Sequence, residues 1–104
     1  MQFKTANSYH KYVNWDLFAK LVNGVMQKKD ELDELFKGLL PSDIDSVNLV
    51  ELAILRLGCY ELKYCKDTPF KVVISEYVSL ANEFGAEKGE KFVNGVLDKL
   101  VKLV

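Results

Sequence analysis

The fold of this chain is decided by the run Ala53-Ile54-Leu55-Arg56-Leu57-Gly58-Cys59-Tyr60-Glu61-Leu62. The run lies within a segment from residue 49 to about residue 64 whose apolar residues fall on nearly every side at the helical period. A helix that is apolar on most sides is buried on most sides. Asn48 stands three residues before Glu51, a start signal of the capping-box type. We therefore predict a central helix beginning at Leu49, with Leu57 in the core.

Two amphipathic helices are predicted before the central one. The helical period starts at Val13, and a second apolar run, with Asp30 as its N-cap, follows before Pro41 breaks the pattern. The first run has Leu17, Phe18, Leu21, Val22 and Val25 on one face, and the second has Leu32, Leu35, Phe36 and Leu39.

Two more helices are predicted after it. Thr68-Pro69 is a helix start, and the stripe of Val73, Tyr77, Ala81 and Phe84 favours a helix ending at Gly85. The β-branched run 72–74 could instead form a strand. The last segment, from Phe92 to Val104, follows the helical spacing and places Leu97 in the core.

These patterns predict an all-α protein, a compact bundle of about five to six helices. Residues 1–12 have no clean period and are interpreted as an irregular lead-in, and residues 13–104 as one helical domain. A short echo, Val22-Asn23-Gly24-Val25 and Val93-Asn94-Gly95-Val96, places a glycine inside two helices. Glycine there costs about 1 kcal/mol relative to alanine, which close approach of another helix would offset.

The charge of the chain excludes a global basic field. Its 104 residues carry 14 basic and 15 acidic side chains, and Arg56 is the single arginine, so any nucleic-acid contact must come from a local group of lysines. No apolar window is long enough to span a membrane, and the first residues show no signal peptide. Cys59 and Cys65 point to different sides of one helix and cannot bridge, which fits a reducing cytoplasm.

The residues of catalytic and metal sites are scarce. His10 is the only histidine, and one histidine with two separate cysteines predicts no zinc or iron site. The sequence contains no phosphate-binding glycine loop and no nucleophile elbow. We expect a protein that is not an enzyme and has no cofactor and no metal.

The central run resembles the central-helix signature of the NusB family. The similarity covers about residues 13–104 and continues in three blocks: Pro69-Phe70-Lys71-Val72-Val73-Ile74-Ser75-Glu76, then Leu80-Ala81 with Phe84-Gly85-Ala86-Glu87, then Lys91-Phe92-Val93-Asn94-Gly95-Val96-Leu97-Asp98-Lys99. The resemblance implies the compact NusB-like helical bundle. It also implies a cytoplasmic transcription antitermination factor that binds the boxA RNA of ribosomal RNA operons together with the small-subunit ribosomal protein NusE, on the elongating RNA polymerase.

Family members usually open with an arginine-rich stretch and a first helix, which this sequence lacks. An alternative interpretation is therefore a protein-interaction module of the same fold that has lost autonomous RNA binding and self-associates, as a homodimer, or acts as a scaffold. Apolar surface left uncovered by a missing helix would favour such association.

Five residues are candidates for these contacts. Lys71 lies in the first turn of a helix, where a lysine is a poor partner for the helix dipole, and Lys88 and Lys91 form a basic patch before the last helix. Phe92 is a core residue by its periodicity, and the resemblance implies that it meets RNA, where aromatic faces stack on bases. Glu51 is a capping residue by its position, and the resemblance places it on the face that meets the ribosomal protein. For each lysine the alternative is a solvated side chain.

Overall fold

The computed structural model of the chain describes residues 15–84 and 89–104. Within these residues the chain forms four α-helices and contains no strand, which confirms the all-α prediction. The helices are α1 (Trp15–Phe36), α2 (Leu49–Tyr64), α3 (Phe70–Phe84) and α4 (Gly89–Leu100). Two short 3-10 helices, Lys37–Leu39 and Ile44–Ser46, connect α1 to α2. The lead-in of residues 1–12 and the stop predicted at Gly85 lie outside the described residues.

The first helix corrects one prediction. The two apolar runs that the sequence assigned to separate helices lie in the single 22-residue helix α1, except for Leu39, which lies in the 3-10 helix that follows. Asp30 is an exposed residue inside α1. The polar residues between the runs include no proline or glycine, so nothing interrupts the backbone hydrogen bonds. The buried residues Leu21, Leu32 and Phe36 continue one stripe across the predicted boundary.

The predicted start of α2 is confirmed. The Asn48 side-chain oxygen accepts hydrogen bonds from the backbone N–H groups of Val50, at 2.8 Å, and Glu51, at 3.3 Å. These two groups are among the four N–H groups that a helix start leaves without a partner in the helix.

The β-branched run that could have been a strand is helical, as predicted. α3 begins at Phe70, and the Pro69 carbonyl accepts hydrogen bonds from the backbone N–H groups of Val72 and Val73. Val73, Tyr77 and Ala81 are fully or almost fully buried, so the stripe at the helical period forms the packed face.

The helix α2 is central, because it packs against α1, α3 and α4. At Gly58 the absence of a side chain lets α4 approach closely: a Cβ there would lie 3.2 and 3.3 Å from the two methyl carbons of Leu97. Leu97 is fully buried, as predicted, whereas Leu57 is only half-buried at the edge of the core. Leu49 and Val50 are exposed, so the first turn of α2 is less enclosed than its composition predicts.

The glycines of the sequence echo have different environments. A Cβ at Gly24 would collide with the ring of Tyr60, so the predicted close approach of another helix is confirmed there. At Gly95 nothing lies within 4 Å of the Cβ position, and the prediction is wrong. The same four letters therefore pack against a neighbouring helix in α1 and face open space in α4.

One polar pair lies inside the core. The Tyr77 hydroxyl donates a hydrogen bond of 2.8 Å to the Glu61 carboxylate, which joins α3 to α2, and both residues are buried. Burial raises the pKa of Tyr77 far above its usual value, and the neighbouring Glu61 charge acts in the same direction. A buried carboxylate that accepts hydrogen bonds is satisfied, so Glu61 has a structural role in the core.

The burial of the two leucines predicts unequal costs of truncation. We expect Leu97→Ala to lower the free energy of unfolding by about 2–5 kcal/mol, because it leaves a cavity at a fully buried position. Leu57→Ala should cost less, on the order of 1 kcal/mol, since part of the side chain already contacts water. Urea unfolding followed by circular dichroism measures both values. Equal losses would contradict the difference in burial.

The glycine pair predicts changes of opposite sign. We expect Gly24→Ala to lower the free energy of unfolding by about 1–3 kcal/mol, because its methyl group would overlap the Tyr60 ring. Gly95→Ala should raise it by up to about 1 kcal/mol, because alanine is the better helix former and the space is open. Thermal unfolding of the two single variants tests this, and a stabilised Gly24→Ala variant would disprove the packing of Tyr60 on α1.

Candidate nucleic-acid interface

The helix α4 presents a polar face with a groove on each side. Lys91, Asn94, Gly95, Asp98 and Lys99 are all exposed on this face. Their spacing of three, four and seven residues places them along one side of the helix, opposite the buried stripe of Val93, Val96, Leu97 and Leu100. The burial of the apolar stripe thus fixes which side chains of α4 face solvent.

The first groove lies between α4 and the segment that leaves α1, and we call it the lysine groove. It has a volume of about 470 Å³ and is lined by Gly38, Leu39, Leu40, Pro41, Lys91, Phe92, Gly95, Val96 and Lys99. The structure therefore brings together two residues that the sequence proposed, Lys91 and Phe92, and adds Lys99. The spacing of Lys91, Gly95 and Lys99 predicts that they share a helix face. Residues 38–41, which form the other wall of the groove, are distant in sequence, and no sequence pattern predicted that they lie beside α4.

Phe92 has an environment that is compatible with both roles that the sequence left open. The residue packs against the core and is only partly buried, and it also lines the lysine groove. Gly38 and Gly95, which have nothing within 4 Å of their Cβ positions, keep the groove beside it open. An aromatic side chain beside open space with lysines near it can stack on a flat ligand while the ammonium groups meet its negative charge.

The second groove lies between α3 and α4, and we call it the asparagine–aspartate groove. Its volume is about 420 Å³, and its lining consists of Phe70, Lys71, Ile74, Ser75, Val78, Ser79, Asn94 and Asp98. Lys71, the other described lysine of the sequence prediction, lies here and not in the lysine groove. Its position beside Asn94 and Asp98 shows that the start of α3 lies next to the end of α4. Sequence reasoning had not singled out Asn94 or Asp98.

The lysines of both grooves are available to a ligand. Among the described residues, no ion pair involves Lys71, Lys91 or Lys99. Lys71 and Lys91 each lie in the first turn of a helix, where the helix dipole disfavours a positive charge. Their placement gives no evident benefit to the fold, whereas it increases the positive potential in front of the grooves.

The single arginine is held inside the fold. Arg56 forms a forked pair with Asp33, in which Nε and Nη2 donate to the two carboxylate oxygens, each at 2.8 Å. Both side chains are about four-fifths buried, and the pair joins α2 to α1. Arg56 is therefore committed to the α1–α2 contact, so the described part of the chain has only lysines for phosphate contacts.

A second polar group joins the same two helices. The Tyr64 hydroxyl donates to the Glu31 carboxylate, which also pairs with Lys63 at 3.5 Å. This hydrogen bond raises the pKa of Tyr64 to about 12 and lowers the pKa of Glu31. The ammonium groups of Lys28 and Lys63 each lie 5.5 Å from the centre of the Tyr64 ring. These cations belong to the α1–α2 surface and not to the grooves beside α4.

Glu51 is more enclosed than an interface residue requires. It is 8% exposed, and its carboxylate lies against Gly89, the buried first residue of α4. A carboxylate is favourable beside a helix N-terminus because the dipole is positive there. In this conformation Glu51 links the start of α2 to the start of α4, and the exposed residues around it are Leu49 and Val50.

Other predicted residues take different places. Lys88 lies outside the described residues, as does His10. Cys59 and Cys65 are free thiols, in agreement with the prediction, and burial raises the pKa of Cys59 to about 12, so it is a packing residue. Within the described ranges no three potential metal ligands cluster. Nor is any described helix both long and apolar enough to cross a membrane.

Comparisons with known proteins agree on one family. The family model described as NusB family matches residues 3–102 of this chain. Transcription antitermination protein NusB of Shewanella piezotolerans is 55% identical over 84 residues, which cover 81% of this chain and 62% of that protein. The protein of the same name from Tolumonas auensis is 46% identical over 92 residues, covering 88% of this chain and 67% of the relative. The chain thus spans less than two thirds of the length of the Shewanella relative.

The contact between Glu51 and Gly89 predicts a coupled pair of substitutions. We expect Gly89→Ala to destabilise the fold, because its methyl group would occupy the place of the Glu51 carboxylate. Glu51→Ala removes that overlap, so the double variant should be more stable than the sum of the single effects predicts, by about 0.5–3 kcal/mol. Urea unfolding of the four proteins measures this coupling. Additive effects would show that moving the Glu51 carboxylate away from Gly89 does not change the stability of the fold.

Proposed function

Because this chain belongs to the NusB family, we propose that it acts in transcription antitermination by binding boxA-like RNA jointly with the small-subunit ribosomal protein NusE. The observation that carries the proposal is the lysine groove, where Lys91 and Lys99 flank Phe92. In this proposal the chain works in the cytoplasm on the elongating RNA polymerase, and it binds RNA without catalysing a reaction.

The chemistry of the groove supports a single-stranded RNA ligand. Unpaired bases can stack on an aromatic face, and an ammonium group meets a phosphate as a point charge. Lys91 and Lys99 are eight residues apart, which is about 12 Å along a helix. They can therefore contact separate phosphates of one strand while Phe92 meets a base between them.

The overall charge supports weak binding by the chain alone. The net charge is −1, and Arg56 is committed to Asp33, so few cations contribute counterion release. A basic ribosomal protein would extend the positive surface and add phosphate contacts. We therefore propose that the partner, and not this chain alone, brings RNA binding to its working strength.

The partner site proposed for Glu51 includes its neighbours. Because Glu51 is largely buried, the residues that a docking protein would meet first are Leu49, which is 81% exposed, and Val50. Exposed aliphatic side chains at a helix start form a suitable apolar contact. Lys88, which the structure does not describe, stays a proposed RNA contact on the basis of the sequence alone.

The same exposed residues favour a second candidate function. Leu49 and Val50 could pair with a second copy of the chain, in which case the protein would be a self-associating interaction module without RNA binding of its own. The two functions differ in their need for the lysine groove, which only RNA binding requires.

The test is a titration of labelled boxA RNA with and without the purified ribosomal protein, on the parent and on Lys91→Ala/Lys99→Ala. We expect the parent to bind weakly alone and more tightly with the partner. The double variant should lose affinity in both conditions. The slope of log affinity against log salt should become shallower by about 1.4, since each phosphate contact of a single strand contributes about 0.7.

The matched control is Lys20→Ala/Lys66→Ala, which removes the same charge from exposed positions that line neither groove. It should bind RNA nearly as the parent does. If both double variants lose affinity equally, the effect is one of net charge and the groove is not the site. If RNA binds under no condition while the parent sediments as a dimer, the interaction module is the correct function.

A further inference from the structure

From the residues of the asparagine–aspartate groove we infer that it reads the identity of one RNA base, with Asp98 accepting from an exocyclic amino group, Asn94 contacting the same base edge and Phe70 stacking on the ring. The inference rests on the proposed function, because it assigns base recognition to the RNA that the lysine groove would hold. It divides α4 into one side that binds RNA of any sequence and one side that selects a base.

The two grooves differ in the chemistry of their polar groups. The charged side chains of the lysine groove are lysines, which attract phosphates whatever the base. The asparagine–aspartate groove offers a carboxylate, an amide and the hydroxyls of Ser75 and Ser79. These groups accept and donate hydrogen bonds in fixed directions, and such side chains distinguish base edges in nucleic-acid recognition.

The position of Asp98 supports a role in ligand recognition. Asp98 lies in the last turn of α4, where the negative end of the helix dipole disfavours a carboxylate. It is exposed, and within the described residues it takes part in no ion pair. The fold therefore gains nothing evident from a negative charge here. A carboxylate also repels phosphates, so in an RNA site it would accept from a base edge or from a ribose hydroxyl.

Phe70 and Lys71 complete the groove. The Phe70 side chain is 46% exposed at the start of α3, so an aromatic surface is accessible to a base. Lys71 follows it and can hold the phosphate of the same nucleotide. Because Phe70 and Lys71 line the same groove as Asn94 and Asp98, one nucleotide can meet a stacking face, a phosphate contact and two base-edge groups together.

The groove should prefer a base that carries an amino group. Cytosine presents an amino donor at the position where uracil presents a carbonyl acceptor, and a carboxylate can only accept. Asp98 therefore favours cytosine over uracil. Asparagine at this position could accept from cytosine or donate to uracil, so it would remove the preference.

The experiment compares the RNA dodecamers rC12 and rU12, which have equal length and charge, in titrations at neutral pH and one fixed salt concentration. The proteins are the parent and Asp98→Asn, each with and without the ribosomal protein. We expect the parent to bind rC12 more tightly, and Asp98→Asn to lower the rC12-to-rU12 affinity ratio by about five- to tenfold. Differences in stacking between the two oligomers persist in the variant, so the change of the ratio reports base-edge recognition.

The matched control is Asp30→Asn, which makes the same charge change at an exposed position of α1. It should leave the ratio as in the parent. A second variant, Phe70→Leu, should lower the affinity for both oligomers by the same factor, since stacking does not depend on the base edge. Because Phe70 and Asp98 are both exposed, neither change removes a core contact.

The outcomes separate this inference from the proposed function. If Asp98→Asn leaves the ratio unchanged while the Lys91→Ala/Lys99→Ala variant loses RNA affinity, the groove does not read bases and the proposed function stands. If Asp98→Asn leaves the rC12-to-rU12 affinity ratio unchanged and instead lowers the affinity for the ribosomal protein, a protein segment occupies the groove and the inference is wrong. If the parent binds no RNA even with the ribosomal protein, both are wrong.

Discussion

The rest of the structure depends on the need to enclose α2. Its apolar residues lie on most sides, so α1, α3 and α4 must all pack against it. The contact between α2 and α4 matters most for the candidate site. Gly58 has no side chain, so the Leu97 methyl groups can approach the α2 backbone. Once Leu97 and the other buried residues of α4 turn toward α2, Lys91, Asn94, Asp98 and Lys99 have to face solvent. The exposed polar face of α4 is thus a consequence of core packing.

Polar contacts between the helices add direction to this packing. The forked pair between Arg56 and Asp33 holds α2 on α1, and the hydrogen bond from Tyr77 to Glu61 holds α3 on α2. Apolar burial alone has little directional preference, whereas hydrogen bonds fix the rotation of one helix on another. The same contacts remove the only arginine from the surface. The positive charges beside α4 that an RNA ligand would meet therefore come from separate lysines, at the starts of α3 and α4 and in the last turn of α4.

In the proposed function, the two grooves beside α4 supply the RNA contacts of a nearly neutral chain. The lysine groove concentrates positive charge beside Phe92, and the asparagine–aspartate groove combines an aromatic face with directional polar groups. The two grooves contain few charged residues, which is consistent with the proposal that the chain binds RNA together with a basic partner. Glu51 connects these regions to the start of α2, because its carboxylate lies against the first residue of α4. A partner on Leu49 and Val50 would therefore be close to the element that carries both grooves.

Most of the helices and the family could be predicted from the sequence, because these depend on local patterns. The period of 3.6 residues, the Asn48 cap and the Thr68-Pro69 start act over a few residues, so α2, α3 and α4 could be predicted from the letters. The sequence also identified Lys71, Lys91 and Phe92 as candidates. It could not show that the runs on either side of Asp30 form one helix. An aspartate can cap a helix start, but the same residue is also tolerated inside a helix when the backbone hydrogen bonds continue.

Which residues contact each other depends on how the helices pack, and the sequence did not predict it. Gly24 and Gly95 occur in the same four-letter motif, yet Tyr60 packs on the first and open space faces the second, because the neighbour of each helix is set by the whole bundle. Residues 38–41 line one groove together with α4, and Phe70 lines the other together with Asp98. These residues are far apart in the chain, and no local pattern encodes which of them meet. Leu57 and Leu97 look alike in sequence, and only packing shows that one is half-buried and the other fully buried.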